Sequence, residues 1–168
     1  MGTRILVVDD EKEFAQALSE RLAIRDYQVG MCLSGEDAIQ SIMAREYDVV
    51  ILDVAMPGMD GIETLREIKK RKPLIEVILL SGRATVETAI EGLKRGAFDY
   101  IKKPCETDEL LVKMNDAYRR KADHEEKIRQ ARIKEGLLSP RTGLKEGQEA
   151  TRASLEERGG GGLRRSPK

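Results

Sequence analysis

Cysteine, histidine and long apolar runs are all scarce in this chain of 168 residues. Cys32 and Cys105 are too few and too far apart for a disulfide framework, and neither belongs to a Cys-x-x-Cys pair. Both are expected as free thiols in a reducing compartment. The single histidine, His124, lies in a charged stretch and reads as a solvated surface residue. No His/Cys cluster is therefore available to Zn2+. The longest apolar runs, such as Val49-Val50-Ile51-Leu52, are far short of a bilayer span, and Asp9, Asp10 and Glu11 stand where a signal peptide would be apolar. A cytoplasmic protein without membrane insertion is expected. Excess charge of either sign is also missing: 30 Lys plus Arg balance 30 Asp plus Glu, so no global field points to direct nucleic-acid binding. The balance hides an asymmetry, since the first 120 residues are mildly acidic and residues 136–168 mildly basic.

What is present is a repeat of strand-like and helix-like patterns. Apolar runs at Ile5-Leu6-Val7-Val8, Gln28 to Cys32, Val49 to Leu52, Val77 to Leu80 and Asp99-Tyr100-Ile101 read as strands covered on both faces. Between them, Phe14, Leu18 and Leu22, then Ala38 and Ile42, then Ile62, Leu65 and Ile68, then Val86, Ala89, Ile90 and Leu93 keep helical spacing. Each set is expected to bury one stripe against a sheet. Asp10 and Ser34 sit where helix-start acceptors belong, and Gly96 where a helix stops. Such β-α alternation predicts an α/β fold: a doubly wound five-stranded parallel sheet of order 2-1-3-4-5 with helices on both faces. An extended C-terminal helix should begin near Thr107, with Leu110, Leu111, Met114, Ala117, Tyr118 and Ile128 as its stripe and solvated charge from Lys121 onward. The charged stretch from Arg119 to Lys134 reads as a solvated helix, with a partner-binding or coiled-coil role as its alternative. The expected organisation is a domain over 3–120, a helical extension over 121–135, and a disordered tail or linker remnant over 136–168. Four consecutive glycines from Gly159 and little apolar content mark that tail.

Ligands of open α/β sheets bind outside the carboxyl ends of the strands. Strand one ends in Asp9-Asp10, strand three in Asp53, strand four in Ser81-Gly82 and strand five in Lys102-Lys103-Pro104. The order 2-1-3-4-5 brings these endings together. Three carboxylates packed closely repel one another, and a hard divalent cation, Mg2+ or Mn2+, removes the conflict. Asp53 would be a carboxylate ready to attack phosphorus, Lys103 a cation for a phosphoryl oxygen, Ser81 a donor to another, and Gly82 the space for the group.

These residues resemble the receiver domain of two-component response regulators. The likeness runs through Ile5 to Asp10, Leu52-Asp53-Val54-Ala55-Met56-Pro57-Gly58-Met59-Asp60-Gly61, Leu80-Ser81-Gly82 and Gly96 to Pro104, and covers roughly residues 3 to 120. The resemblance implies Asp53 as the residue phosphorylated by a sensor histidine kinase or phosphotransfer protein. It implies Asp10 as a direct Mg2+ ligand, Asp9 as one acting through water, and the Ala55 carbonyl as a further ligand. It implies Ser81 as the switch hydroxyl, Lys103 as the phosphate-binding lysine before a cis proline, and Tyr100 as an aromatic side chain that turns inward on activation. Ala55 and Arg83 would tune hydrolysis. Output would pass through residues 85–94, 99–102 and 106–118, the face through which a homodimer would also form.

Neighbouring readings differ at named residues. Phosphatases with an aspartate nucleophile place a second Asp two residues later, where this chain has Ala55. Flavin-binding relatives offer a Ser/Thr/Gly-rich loop after strand one, whereas Asp9-Asp10-Glu11 would repel a phosphate. A degenerate receiver acting as a constitutive interaction module, or the receiver fragment of a longer transcription regulator, remain the alternatives. The segment Val86 to Tyr100 looks like receivers that precede an ATPase and DNA-binding output, while the composition after Arg120 supports neither.

Overall fold

The computed structural model describes residues 2–83 and 85–138. Strands β1 (Arg4–Val8), β2 (Gln28–Cys32), β3 (Val49–Leu52), β4 (Glu76–Ser81) and β5 (Asp99–Lys102) alternate with helices α1 (Lys12–Ile24), α2 (Gly35–Ala44), α3 (Gly61–Arg71), α4 (Val86–Lys94) and α5 (Thr107–Leu138). All pairings are parallel and the order is β2-β1-β3-β4-β5. This is the expected doubly wound topology, with β2 and β5 at the edges.

Alternation along the strands explains why they are apolar throughout. Leu6, Val8, Val50, Leu52, Val77 and Leu79 join Ala38 and Ile42 of α2 and Leu65 and Ile68 of α3 in one buried cluster. Ile5, Val7, Val49, Ile51, Ile78 and Leu80 face the other way, against Ala15, Leu18 and Leu22 of α1 and Leu110, Met114 and Ala117 of α5. Both faces of the central strands are covered, so their middle positions are apolar, and the buried polar residues Glu76 and Ser81 stand at the two ends of β4. Ser34 caps α2 by accepting from the Asp37 N–H at 3.1 Å, and Gly96 follows α4 with φ of 101°.

Three expectations need correction. Asp10 does not cap α1: the N-cap is Glu11, without a side-chain cap, and Asp10 lines the cleft. α4 does not bury its apolar stripe; Val86, Ile90 and Leu93 are exposed. The helix meets the sheet through buried Gly92, where Leu79 Cδ1 occupies the place a Cβ would take. Finally, Lys121 is not solvated: it is 6% exposed and continues the buried row of Leu110, Met114 and Ala117.

Lys121 is buried because carboxylates await it at the amino ends of the strands. Asp48, just before β3, accepts from Lys121 Nζ at 3.1 Å and from Arg4 Nη2 at 3.0 Å. Lys121 also pairs with Glu125, and Arg120 pairs with buried Glu76 while its guanidinium lies 4.7 Å from the Phe98 ring centre. The chain divides at Glu126–Lys127, and residues 127–138 continue as helix beyond Gly136. Of the tail expected over 136–168, residues 136–138 are helical instead, and the remainder lies outside the described residues. Among the described residues no helix is long and apolar enough to cross a membrane.

Candidate functional site

The carboxyl ends of the strands open onto a cleft of about 660 Å3 whose lining includes Asp10, Glu11, Asp53, Ala55, Ser81 and Gly82. Register places these residues: Val8, Leu52 and Leu79 are level across β1, β3 and β4, and Ser81 is level with Lys102. The residues at or just after the ends of β1, β3 and β4 therefore enter the same space. The Asp53 N–H donates to the Val8 carbonyl at 2.9 Å, extending the β1–β3 ladder by one residue. Asp53 is thereby held at the floor of the cleft, 4% exposed.

Asp9, Asp10 and Asp53 each offer a carboxylate oxygen, all within 4.8 Å of one another. Burial, and next the charge of Asp9, push the Asp53 carboxyl from 3.8 up to about 6, with Asp10 adding to the rise and Lys103 and Ser81 opposing it. The two aspartates after β1 differ. Asp9 is buried and both its oxygens are engaged: Oδ1 accepts from the Glu11 N–H at 2.9 Å and Oδ2 from Lys103 Nζ at 2.6 Å. Asp10 is exposed and faces the cleft.

Lys103 reaches the site from the end of β5. Its N–H donates to the Ser81 carbonyl at 3.0 Å, its peptide with Pro104 is cis, and its ammonium lies 3.6 Å from Glu11 Oε1 and 4.0 Å from the Phe14 ring centre. Burial alone would lower its pKa; Asp9, Asp53 and Glu11 outweigh that and raise it, so the charge is retained. Ser81 is buried, and its Oγ accepts from the Arg83 N–H at 3.2 Å. Ala55 is exposed on the loop after Asp53.

Tyr100 stands apart from the cleft. It is half-buried on edge strand β5, with its hydroxyl 3.2 Å from Thr88 Oγ1. Thr88 in turn shares the capping box of α4 with Thr85. The structure thus brings Asp9, Asp10, Asp53, Ala55, Ser81 and Lys103 together, and places Tyr100 at the start of α4. Sequence reasoning missed Thr88, and it took Phe14 for a core residue only. A cation above an aromatic ring leaves no trace in spacing, because Phe14 and Lys103 meet only through the fold.

Comparison with known proteins agrees with this geometry. The family model for the response regulator receiver domain matches residues 5–115. The chain is 42% identical over 113 residues to the transcriptional regulatory protein ZraR of Escherichia coli O157:H7, covering 67% of this chain and 26% of that relative. The chain thus spans about a quarter of the length of this curated relative. Among solved structures, the receiver domain of the Francisella response regulator 1452 is 35% identical with a TM-score of 0.66, covering 71% of this chain and 98% of the other. NtrX from Brucella abortus is 32% identical with a TM-score of 0.71, covering 75% of this chain and 29% of the other. The chain belongs to the receiver domain family of two-component response regulators.

Proposed function

We propose that this domain accepts a phosphoryl group onto Asp53 from the phosphohistidine of a sensor kinase or phosphotransfer protein in the cytoplasm, and loses it later to water. The observation that carries the reading is the buried Asp53 carboxylate at the floor of the cleft, beside two further carboxylates and a captive lysine. Asp53 Oδ attacks phosphorus, the P–N bond to histidine breaks, and the imidazole leaves with its electron pair. A carboxylate whose pKa is raised to about 6 is more basic than an ordinary one yet still ionised at neutral pH, which suits a nucleophile. Water then attacks the same phosphorus and Asp53 departs as carboxylate.

The donor set is all oxygen, with carboxylates crowded enough to raise the pKa of one of them, which fits Mg2+ or Mn2+. Asp10, Asp53 and the Ala55 carbonyl would hold the ion, with Asp9, whose Oδ1 is held by the Glu11 N–H, acting through water. The ion supplies neutralisation of charge on the phosphoryl oxygens. Lys103 moves from Asp9 to a phosphoryl oxygen, and the Ser81 hydroxyl, whose proton is not used by its bond to Arg83, donates to another. Movement of Ser81 frees space for Tyr100 to leave Thr88 and turn inward. Output then passes through α4, β5 and α5, where Val86, Ile90 and Leu93 already form an exposed apolar surface, to a partner or a second copy.

Intact mass spectrometry after incubation with acetyl phosphate and Mg2+ tests the reading. Gain of one phosphoryl mass by the wild type and none by Asp53→Asn is the expected result. No gain by either protein would favour a constitutive interaction module.

A further inference from the structure

The loop from Ala55 to Met59 carries the carbonyl assigned to the metal, yet among the described residues it makes one hydrogen bond. The Met59 N–H donates to Glu36 Oε1 at 3.0 Å, across 23 residues of sequence. Pro57 has no N–H, and the flanking bonds, from Gly61 N–H to Val54 O at 2.9 Å and from Glu63 N–H to Asp60 Oδ1 at 2.9 Å, lie outside this stretch. The Met56 side chain is buried in the core and anchors the middle of the loop, which leaves the Met59 end to Glu36.

Three features show that Glu36 is fitted to this loop. It stands in the first turn of α2, where a carboxylate is favoured by the helix dipole. Gly58, at φ of 73°, brings its backbone so close that a Cβ there would lie 3.1 Å from Glu36 Oε1. Gly35, the preceding residue, lets α2 rest on the loop itself, since a Cβ at Gly35 would lie 2.9 Å from the Met59 carbonyl oxygen. Hydrogen bonds from its own N–H and from that of Met59 keep the Glu36 carboxyl below the usual carboxylate range, so the acceptor is charged at neutral pH.

We propose that Glu36 is a positioning residue for the phosphoacceptor site: by holding Met59 it holds the β3–α3 loop, and through the loop it sets the Ala55 carbonyl in place for the divalent cation. The inference rests on the metal site proposed above. Glu36 itself touches neither the cation nor the phosphoryl group; it acts through the loop.

The test is the dissociation constant for Mg2+ measured by titration calorimetry on the whole chain, for the wild type, Glu36→Ala, Glu36→Gln and Asp10→Asn, with melting curves on the same samples. Glu36→Ala removes the acceptor and is expected to weaken Mg2+ binding about three- to ten-fold. Glu36→Gln keeps an acceptor oxygen and is expected to stay within about two-fold of the wild type. Melting temperatures in metal-free buffer should be alike, because Glu36 is exposed. Unchanged affinity in Glu36→Ala would overturn the proposal, and so would an equal loss in Glu36→Gln, which would point to charge rather than the hydrogen bond. Mg2+ binding that Asp10→Asn does not weaken, or none by the wild type, would instead overturn the metal site on which the proposal stands.

Discussion

Replacing Asp53 by Asn should stabilise the fold in the absence of metal. The side chain is 4% exposed, and its carboxyl is pushed from 3.8 up to about 6, by burial first and by Asp9 next. One pKa unit corresponds to about 1.4 kcal/mol of difference between the two protonation states, so an ionised Asp53 costs the folded state up to about 3 kcal/mol at neutral pH. The folded protein binds this proton more tightly than the unfolded chain does. The cost is therefore full above about pH 6 and shrinks as the pH falls toward 3.8. Asparagine carries no charge and avoids the cost, though it exchanges some hydrogen bonds, which leaves an expected gain of about 1–3 kcal/mol. Urea denaturation of both proteins in EDTA, at about pH 7.5 and about pH 4.5, measures it. The variant should be more stable at the higher pH, and its advantage should be about 2 kcal/mol smaller at the lower. Added Mg2+ should then stabilise the wild type more than the variant, since an ion bound only by the native state shifts the equilibrium by mass action. A variant no more stable than the wild type at neutral pH, or a gap that does not narrow on acidification, would refute the electrostatic reasoning.

Other perturbations follow from the same contacts. Lys121→Met should cost about 2–4 kcal/mol in urea denaturation, because it leaves buried Asp48 with Arg4 as its remaining cation; an unchanged midpoint would show that Arg4 alone suffices. Gly61→Ala would place a Cβ 2.5 Å from the Val54 Cα and against the Asp53 carbonyl, where only backbone can give way. A loss of about 1–3 kcal/mol by thermal melting is expected, and a neutral outcome would mean the loop after Asp53 tolerates a shift of its backbone. Lys103→Ala removes a charge that lowers the Asp53 pKa, so in metal-free buffer the Asp53 titration, followed by NMR, should move upward from about 6; a downward move would show that Lys103 acts otherwise.

Much of the fold was legible along the chain. Strand ends were placed within a residue or two, since doubly covered strands are apolar through their middles and helices along only one stripe. Ser34 as a cap and Gly96 as a stop were legible because each acts on neighbours a few residues away. The site was legible in the same way: Asp9, Asp10, Asp53, Ser81 and Lys103 all follow apolar runs, and parallel topology sends every such ending to one side. Pattern failed where a side chain had two local readings and a distant partner chose between them. Lys121 looks solvated until Asp48, 73 positions earlier, is found beneath it. The α4 stripe of Val86, Ile90 and Leu93 looks like core until Gly92 is seen to occupy the contact with β4.

Sequence alone therefore determined the order of the elements, the winding of the sheet and which residues come to its carboxyl edge. Those follow from hydrophobic periodicity and from the handedness of β-α-β crossovers, both properties of neighbours along the chain. Only the tertiary structure decided that Lys103 is bound to Asp9, that Asp10 is left facing the cleft, that Tyr100 meets Thr88, and that Glu36 holds Met59. All but the exposure of Asp10 are polar contacts of a few ångströms between side chains or backbone groups brought close by packing. The free energy of such a contact depends on distance and burial, which exist only once the chain has folded.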